Sequence, residues 1–323
     1  MNNLKRTLML LVAVVSFATT GALAEYPDKP VKIIVPFPPA GTTDILARLI
    51  AARLTDKLKQ PFVVENRPGA GGAIGSLAVA KSPADGYTLV MATVSSHSIN
   101  SALYKNLPYD AVKDFAPITI VGSTPNVLMV NPAVPAKNLA ELLALAKARP
   151  GSLNFGSTSQ GGSPHMSGEL LKSMANVDIT HIPYKGAGPM LIDLIGGQVQ
   201  IGFDNLPSSI GHIRSGKLRA IAVTTLKRFP GAPEIPTMAE SGLPGYEVSA
   251  WFGLLAPAGT PKPVIDALYK NIADILRQPE VAKQLFDLGA EPGGNTPEAY
   301  ARQIAADVEK WKKVVAATGV KAE

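Results

Sequence analysis

The feature that most constrains the fold is an apolar, β-branched run that stops at a proline-rich turn and passes directly into a helical pattern. Residues 33–44 read IIVPFPPAGTTD, and the apolar positions Leu46, Leu49, Ile50 and Leu54 then repeat with a helical period. The prolines remove backbone donors and keep the turn extended. This stretch therefore predicts a strand–turn–helix unit of an α/β protein.

The beginning of the predicted helix has the properties of an anion seat. Gly41 and Thr42 present free amide groups there, and Thr42 or Thr43 is expected as the N-cap. Such an end carries partial positive charge and suits a carboxylate. An ordinary strand-to-helix connection, with no ligand, is the alternative at this point.

The first 24 residues predict a cleaved secretory signal. Lys5 and Arg6 precede an apolar segment at residues 8–18, and Ala22-Leu23-Ala24 is a small-residue cleavage site that leaves Glu25 first. No later run of about 18 apolar residues follows, so we expect a soluble, exported protein. The chain has no cysteine, which excludes disulfides, thiolate catalysis, zinc–sulfur sites and a lipid anchor. The expected location is the periplasm.

The charge of the chain argues against nucleic acid as a partner. There are 31 Lys and Arg against 25 Asp and Glu, and removal of Lys5 and Arg6 leaves 29 against 25, or +4. The excess is spread along the chain without basic runs. A mild positive balance suits an anionic ligand.

Alternating strand and helix patterns predict two domains in about 300 mature residues. The chain is expected to cross between them near residues 121–127 and again within the Pro- and Gly-rich stretch 229–245. Asn138 and Glu141 form a capping box before a helix. Three C-terminal helices are expected to begin at prolines, namely Pro261 or Pro263, Pro279 and Pro297. The predicted strands include 62–65, 87–93, 118–121, 127–130, 153–155, 201–205, 219–224 and 248–256.

A second polar loop, residues 156–165 with the sequence GSTSQGGSPH, resembles the first in kind. Ser163 is expected as an N-cap and Pro164 at the first helical position. The amides of Gly161 and Gly162 and the hydroxyls of Ser157, Thr158 and Ser163 can converge on one anion. Two such loops predict one anion-binding helix end per domain, facing across a cleft.

Other polar groups near strand ends have two interpretations each. The hydroxyls from Thr93 to Ser98 bind a ligand at the edge of a sheet or cap a helix. Tyr184 and Lys185 bind a carboxylate or form a surface pair. Asp204 accepts a hydrogen bond from a ligand hydroxyl or amine, or it caps the helix that follows.

No pattern in the chain asks for catalysis or a cofactor. The four histidines, His97, His165, His181 and His212, lack metal-ligand spacing, and no Gly-x-Ser-x-Gly elbow occurs. A Ser163–His165 pair has no third orienting group. The glycine-rich stretch 66–75 fails the dinucleotide fingerprint, and Leu218 replaces the Ser or Thr that a P-loop needs. We therefore predict a binding protein with no catalytic residues, metal or cofactor.

Motifs along the whole mature chain resemble the Bug family, the extracytoplasmic solute receptors of tripartite tricarboxylate transporters. They are PFPPAGTTD at 36–44, ENRPGAGG at 65–72, PADGY at 83–87, YKG at 184–186, GKLRA at 216–220 and APAGTP at 256–261. The resemblance implies a two-lobed type II periplasmic-binding-protein fold. Each lobe is then an α/β unit with a mixed, mostly parallel sheet flanked by helices, and the ligand cleft lies between them. Lobe 1 is expected at residues 25–124 plus 228–323, and lobe 2 at residues 125–227.

The resemblance also implies how the ligand is held: two loop–helix ends bind a carboxylate largely through backbone amides and ordered water. Family members commonly have two glycines before the first helix where this chain has Ala40-Gly41, so a positive φ at Ala40 would add strain and narrow the seat. The predicted ligand-binding residues are Phe37, Ala40, Gly41, Thr42, Thr43, Asp44, Thr93, Ser96, His97, Ser157, Thr158, Gly162, Ser163, His165, Tyr184 and Asp204.

The expected partners are one small mono-, di- or tricarboxylate, aromatic acids included, and a membrane permease of one large and one small subunit. The protein itself is expected to be a monomer. Two alternatives stay open at this stage: a periplasmic hydrolase or isomerase acting on a carboxylated metabolite, and a receptor that feeds a sensor kinase.

Overall fold

A computed structural model describes residues 26–320, so the predicted signal at residues 1–24 lies outside the described part of the chain. The strands are β1 Val31–Val35, β2 Phe62–Asn66, β3 Thr88–Thr93, β4 Phe115–Val130, β5 Asn154–Ser157, β6 Thr180–Pro183, β7 Ile201–Asn205, β8 Arg219–Val223, β9 Ser249–Pro257 and β10 Glu291–Pro292. The helices are α1 Thr42–Leu58, α2 Ala73–Ala80, α3 Asn100–Leu103, α4 Leu139–Ala148, α5 Ser163–Ala175, α6 Ala187–Ile195, α7 Leu206–Arg214, α8 Lys262–Leu276, α9 Pro279–Leu288 and α10 Pro297–Thr318.

The strands form two mixed sheets that share β4. In the first sheet, β1 pairs in parallel with β2 and β3, and β9 runs antiparallel between β3 and β4. In the second sheet, β5 pairs in parallel with β6 and β7, and β7 and β8 flank β4 in antiparallel fashion. The strand order along the whole path is β2-β1-β3-β9-β4-β7-β5-β6.

The prediction of two separate strands at 118–121 and 127–130 is wrong, because β4 continues through the Gly-Ser-Thr-Pro segment between them. Register shifts at Pro117/Thr119 and Ile120/Gly122 bend the strand without ending it. Pairing with β9 extends as far as Pro125, and pairing with β7 begins at Asn126. Partners that are distant in sequence therefore override the local turn signal.

Local sequence patterns predict where helices begin more reliably than they predict where β4 ends. Asn138 accepts a hydrogen bond from the Glu141 amide at 2.9 Å, and the Glu141 carboxylate accepts one from the Lys137 amide at 2.7 Å. This confirms the capping box at the start of α4, although the carboxylate reaches one residue further back than the pattern implies. Helices α9 and α10 begin at Pro279 and Pro297, and α8 begins at Lys262, between two prolines.

The helical period of α1 predicts its buried face correctly. Leu46, Ile50 and Leu54 are fully buried, and Leu49 is nearly so. Each such side chain contributes roughly 1.5–3 kcal/mol by leaving water. Among residues 26–320, no helix has both the length and the apolar character needed to cross a membrane.

Helix α5 packs so closely on β5 that a glycine is required at its centre. A Cβ at Gly168 would lie 2.1 Å from Cε2 of Phe155, whose side chain is fully buried. We expect Gly168→Ala to lower the free energy of unfolding by about 1–3 kcal/mol, because the core cannot expand to admit the methyl group. Urea denaturation measures this loss.

Gly211 of α7 provides the matched control, because no atom lies within 4 Å of a Cβ built on it. Gly211→Ala should be neutral or stabilising by up to about 1 kcal/mol, since alanine is the better helix former. An equal effect of the two substitutions would contradict the packing argument.

Candidate ligand-binding site

A cavity of about 470 Å³, measured to its open mouth, lies where several strands end. The segments that follow β1, β3, β5, β6 and β7 all border it, as expected for ligand sites at the carboxyl ends of strands. Its walls are formed by Phe37, Pro38, Gly41, Thr42, Thr43, Thr93, Val94, Ser95, Thr158, Ser159, Ser163, Pro164, Gly186, Ala187, Asp204, Asn205, Ala250 and Phe252.

Helix α1 presents its N-terminus to this cavity. Its N-cap is Gly41, with φ −84° and ψ 167°, and not Thr42 or Thr43 as predicted. The extended backbone at Gly41 starts the helix one residue earlier, which places both threonines inside its first turn. Within residues 26–320, the amides of Gly41, Thr42 and Thr43 form no hydrogen bond. Three unpaired donors at a helix start make a seat for an anion.

Asp44 lies behind this seat and supports it. Its carboxylate accepts hydrogen bonds of 3.0 Å from the Ala40 amide, Arg48 Nε and Asn66 Nδ2. Burial alone would raise its pKa, but these hydrogen bonds and the Arg48 charge lower it below the usual range. Asp44 and Ala40 are therefore engaged with each other and do not line the cavity.

Ala40 takes the left-handed conformation that its position implied. Its φ is 65°, where glycine is favoured and a methyl group adds strain. The hydrogen bond from its amide to Asp44 holds it in place. Its side chain is exposed, so the methyl group does not narrow the cavity.

The second loop differs from its prediction by one residue. Gly162 is the N-cap of α5, so Ser163 occupies the first helical position and Pro164 the second. The Gly161 amide donates to His165 Nδ1 at 3.0 Å, and the Ser163 amide donates to Ser95 Oγ at 3.1 Å. The Gly162 amide also points inward, to the Ser159 carbonyl. These three amides are used inside the protein, so those of Gly161 and Gly162 do not converge on an anion as predicted.

A pair of stacked histidines supports the second loop from behind. The rings of His165 and His181 lie 3.8 Å apart at 15°. Ser157 Oγ lies 2.7 Å from His181 Nε2, and His165 accepts the Gly161 amide. Because Ser157 Oγ also donates to the Ser159 carbonyl, His181 Nε2 must be the donor to Ser157. Neither Ser157, Gly162 nor His165 lines the cavity.

The hydroxyl cluster after β3 is divided between the wall of the cavity and the interior of the protein. Thr93 lines the cavity, and its Oγ1 also accepts the Ser96 amide at 3.1 Å, as a cap does. Ser96 and His97 are fully buried below the wall. His97 bonds to Ser96 through Nδ1 and packs its ring 4.6 Å from that of Phe115. Ser95 also lines the cavity; it belongs to the predicted hydroxyl cluster but not to the predicted ligand-binding residues.

Tyr184 is turned away from the cavity. Its hydroxyl donates to Asp193 at 2.8 Å, and burial together with that carboxylate raises its pKa to about 12. Gly186 and Ala187, which follow it at the start of α6, line the wall instead.

Asp204 lines the cavity and also holds the start of α7. Its Oδ2 accepts from Ser208 Oγ and Ser209 Oγ, and its Oδ1 accepts from the Asn205 amide, each at 2.7 Å. Burial raises its pKa to about 6, although these hydrogen bonds oppose the shift. Within residues 26–320, the lining contains no Lys, Arg or His, and Asp204 is its one ionisable group.

Half of the predicted ligand-binding residues therefore lie on the wall of one cavity. The structure brings together Phe37, Gly41, Thr42, Thr43, Thr93, Thr158, Ser163 and Asp204. Beneath them Asn126, which the sequence gave no reason to single out, is fully buried and bonds to Ser163, Ser167 and Asn205. Across residues 26–320, no cluster of His, Asp and Glu has the arrangement of a metal site.

The chain is similar to a known protein family and to several characterised proteins. A sequence profile described as "Tripartite tricarboxylate transporter family receptor" matches residues 46–320. Protein BugT of Bordetella pertussis is 41% identical over 321 residues, which are 98% of each chain. Two solved structures are also similar. Rpa4515 of R. palustris with adipate has a TM-score of 0.90 and 42% identity, covering 92% of this chain and 99% of that one. MatC from Rhodopseudomonas palustris with bound malate has a TM-score of 0.84 and 34% identity, covering 90% and 100%.

The buried histidines predict how stability depends on pH. Burial lowers the pKa of His97 to about 3, and burial with the neighbouring His165 lowers that of His181 to about 3. Both values lie below the pKa of about 6.5 that histidine has in the unfolded chain. The contribution of these histidines to stability is therefore complete above pH 6.5 and is lost as the pH falls below it. For His97 the loss is about 1.4 kcal/mol per pH unit. The raised pKa of Asp204 has the opposite effect, because it favours the folded state as the pH falls below 6. This is one group against the two histidines.

We therefore expect the urea midpoint to fall between pH 6.5 and pH 4.5, and His97→Phe to flatten that fall. His212→Gln, a change at a partly exposed position of α7, is the control and should keep the wild-type slope. If His97→Phe has the same slope as wild type, the buried ring is not the cause.

Proposed function

We propose that this chain, which belongs to the tripartite tricarboxylate transporter receptor family, captures a small carboxylate in the cavity and delivers it to a membrane permease. Members of this family are periplasmic solute-binding receptors and not enzymes. The permease would consist of one large and one small subunit, and the receptor would act as a monomer. The ligand-binding residues are those of the predicted set that line the cavity.

The observation that carries the proposal is the unpaired start of α1. The amides of Gly41, Thr42 and Thr43 form no hydrogen bond within residues 26–320 and belong to residues that line the cavity. A carboxylate there would receive several N–H···O bonds and the favourable field of the helix dipole without any cationic side chain. Adipate in Rpa4515 and malate in MatC are carboxylates bound by relatives of this chain.

The remaining wall suits a short carbon skeleton. Phe37, Val94, Ala250 and Phe252 contribute apolar surface, and the space that they enclose is small. A tricarboxylate would bring three negative charges next to Asp204 with no cation on the wall. We therefore favour mono- and dicarboxylates over tricarboxylates.

We also propose that the two lobes meet along β4 and that the mature protein begins after residue 24. The change of partner from β9 to β7 between Pro125 and Asn126 supports a boundary near residue 125. The return connection, between the end of β8 at Val223 and the start of β9 at Ser249, contains the second proposed boundary at residue 228. Lobe 1 is then 25–124 plus 228–323, and lobe 2 is 125–227.

Ligand-dependent thermal unfolding tests the capture of a carboxylate. The mature protein is first unfolded and refolded to remove carried ligand, and is then screened against mono-, di- and tricarboxylates. A specific ligand at a hundred times its Kd should stabilise the fold by about 2.7 kcal/mol, or several degrees in Tm. A screen in which no carboxylate shifts the Tm would count against the proposal.

Gly41 allows a direct test of the backbone amide. Its φ of −84° is close to that of proline, so Gly41→Pro removes the amide at a compatible φ, and because the ring also crowds the left-handed Ala40 before it, the folding of the variant is checked by its Tm. We expect carboxylate affinity, measured by calorimetry, to fall about tenfold or more, because a hydrogen bond to a charged group contributes roughly 1.5–3 kcal/mol.

Gly41→Ala is the matched control for this substitution. It keeps the amide, and its Cβ would meet only Pro38 O at 3.9 Å and Ala187 Cβ at 4.0 Å. We expect its affinity to stay close to that of wild type. If folded Gly41→Pro binds the carboxylate as tightly as wild type does, the start of α1 is not part of the binding site.

A further inference from the structure

The carboxylate of Asp204 has acceptor capacity that the protein does not use. A carboxylate offers about four lone-pair positions. Oδ2 accepts two hydroxyl protons, from Ser208 and Ser209, whereas Oδ1 accepts only the Asn205 amide. The residue is 1% exposed and borders the cavity. One lone pair of Oδ1 therefore lacks a donor within the protein, on a residue that borders the cavity.

A hydrogen-bond chain extends this acceptor character to the other side of the cavity. Ser208 Oγ lies 2.7 Å from Asp204 Oδ2 and 3.0 Å from the Asn205 carbonyl, and the charged oxygen is the stronger acceptor. Thr42 Oγ1 lies 3.1 Å from Ser208 Oγ. Since the Ser208 proton goes to Asp204, Thr42 donates to Ser208. The Thr42 oxygen is then left with lone pairs and no proton for the cavity.

The cavity thus has two polar regions of opposite kind. The amides of Gly41, Thr42 and Thr43 donate, whereas Asp204 and the Thr42 hydroxyl accept. A ligand with only carboxylate groups satisfies the first region and leaves the second unpaired. It would also place negative charge near a buried carboxylate that no cation on the wall balances.

We propose that this cavity selects carboxylates that carry their own hydrogen-bond donor, a hydroxyl or ammonium group, and that Asp204 accepts the hydrogen bond from it. This inference rests on the proposed function. Asp204 is then the residue that determines specificity, and the start of α1 is the general carboxylate anchor. Hydroxy acids and amino acids are the expected ligand classes, and unsubstituted dicarboxylates are disfavoured.

Matched ligands of equal length test the proposal on the wild-type protein. Succinate is compared with both enantiomers of malate and aspartate, and glutarate with both enantiomers of 2-hydroxyglutarate and glutamate, by calorimetry at pH 7.5. In at least one series, a donor-bearing ligand should bind at least tenfold more tightly than the unsubstituted one, because the latter leaves a buried acceptor unpaired. Affinity for the unsubstituted acids equal to or above that of every substituted ligand would overturn the proposal.

Two variants locate the preference. Asp204→Asn keeps the shape of the side chain and an oxygen that still accepts, but it removes the charge that makes the carboxylate the stronger acceptor, so the affinity ratio should fall at least threefold towards unity. Ser208→Ala removes the link to Thr42 but keeps the carboxylate, so the preference should persist. A ratio that survives in folded Asp204→Asn would overturn the assignment to Asp204.

The outcomes separate this inference from the proposed function. Equal binding of substituted and unsubstituted acids overturns the donor preference while carboxylate capture stands. If no carboxylate in either series binds, both proposals fail. If Asp204→Asn does not fold, the wild-type comparison and Ser208→Ala still decide the question.

Discussion

The rest of the structure depends on the continuity of β4. Its sixteen residues pair with β9 in the first sheet and with β7 and β8 in the second, so one backbone fixes the position of both sheets. Asn126 lies where the strand changes partners, and its amide bonds reach Ser163, Ser167 and Asn205. Because these contacts are buried, the residues that line the cavity from the second sheet are held relative to those from the first.

The start of α1 leaves backbone donors available at the cavity, and no positive side chain lies beside them on its wall. Arg48, the cation on the first turns of α1, is bonded to Asp44 and Asn66 outside the cavity. Asp44 in turn accepts a hydrogen bond from the Ala40 amide, so the amides of the next three residues are the ones left available for a ligand. The left-handed backbone at Ala40 costs about 1–2 kcal/mol, and the hydrogen bond to Asp44 offsets part of that cost. Strain is thus located at the turn that shapes the anchor.

The parts of the fold that sequence predicts well are those set by neighbouring residues. The buried face of α1 and the capping box at Asn138 both follow from interactions within a few residues. The N-cap positions at Gly41 and Gly162 were missed because Thr and Ser preferences favoured the next residue, whereas the backbone already turns at the glycine. Continuous β4, the His165–His181 stack and the wall positions Ala250 and Phe252 depend on partners far along the chain, which one sequence does not reveal.

Asp204 is not the cap of α7 that one interpretation predicts, because the N-cap is Asn205, but its hydrogen bonds to the start of that helix hold it in place. A carboxylate buried without a cation needs hydrogen bonds to stay in place. The Asn205 amide and the hydroxyls of Ser208 and Ser209 provide them from the start of α7. The same bonds orient the group before any ligand arrives, so an interaction with it would require no rearrangement of the protein. A carboxylate held by the hydroxyls of a helix start at the edge of a cavity is therefore already oriented as an acceptor.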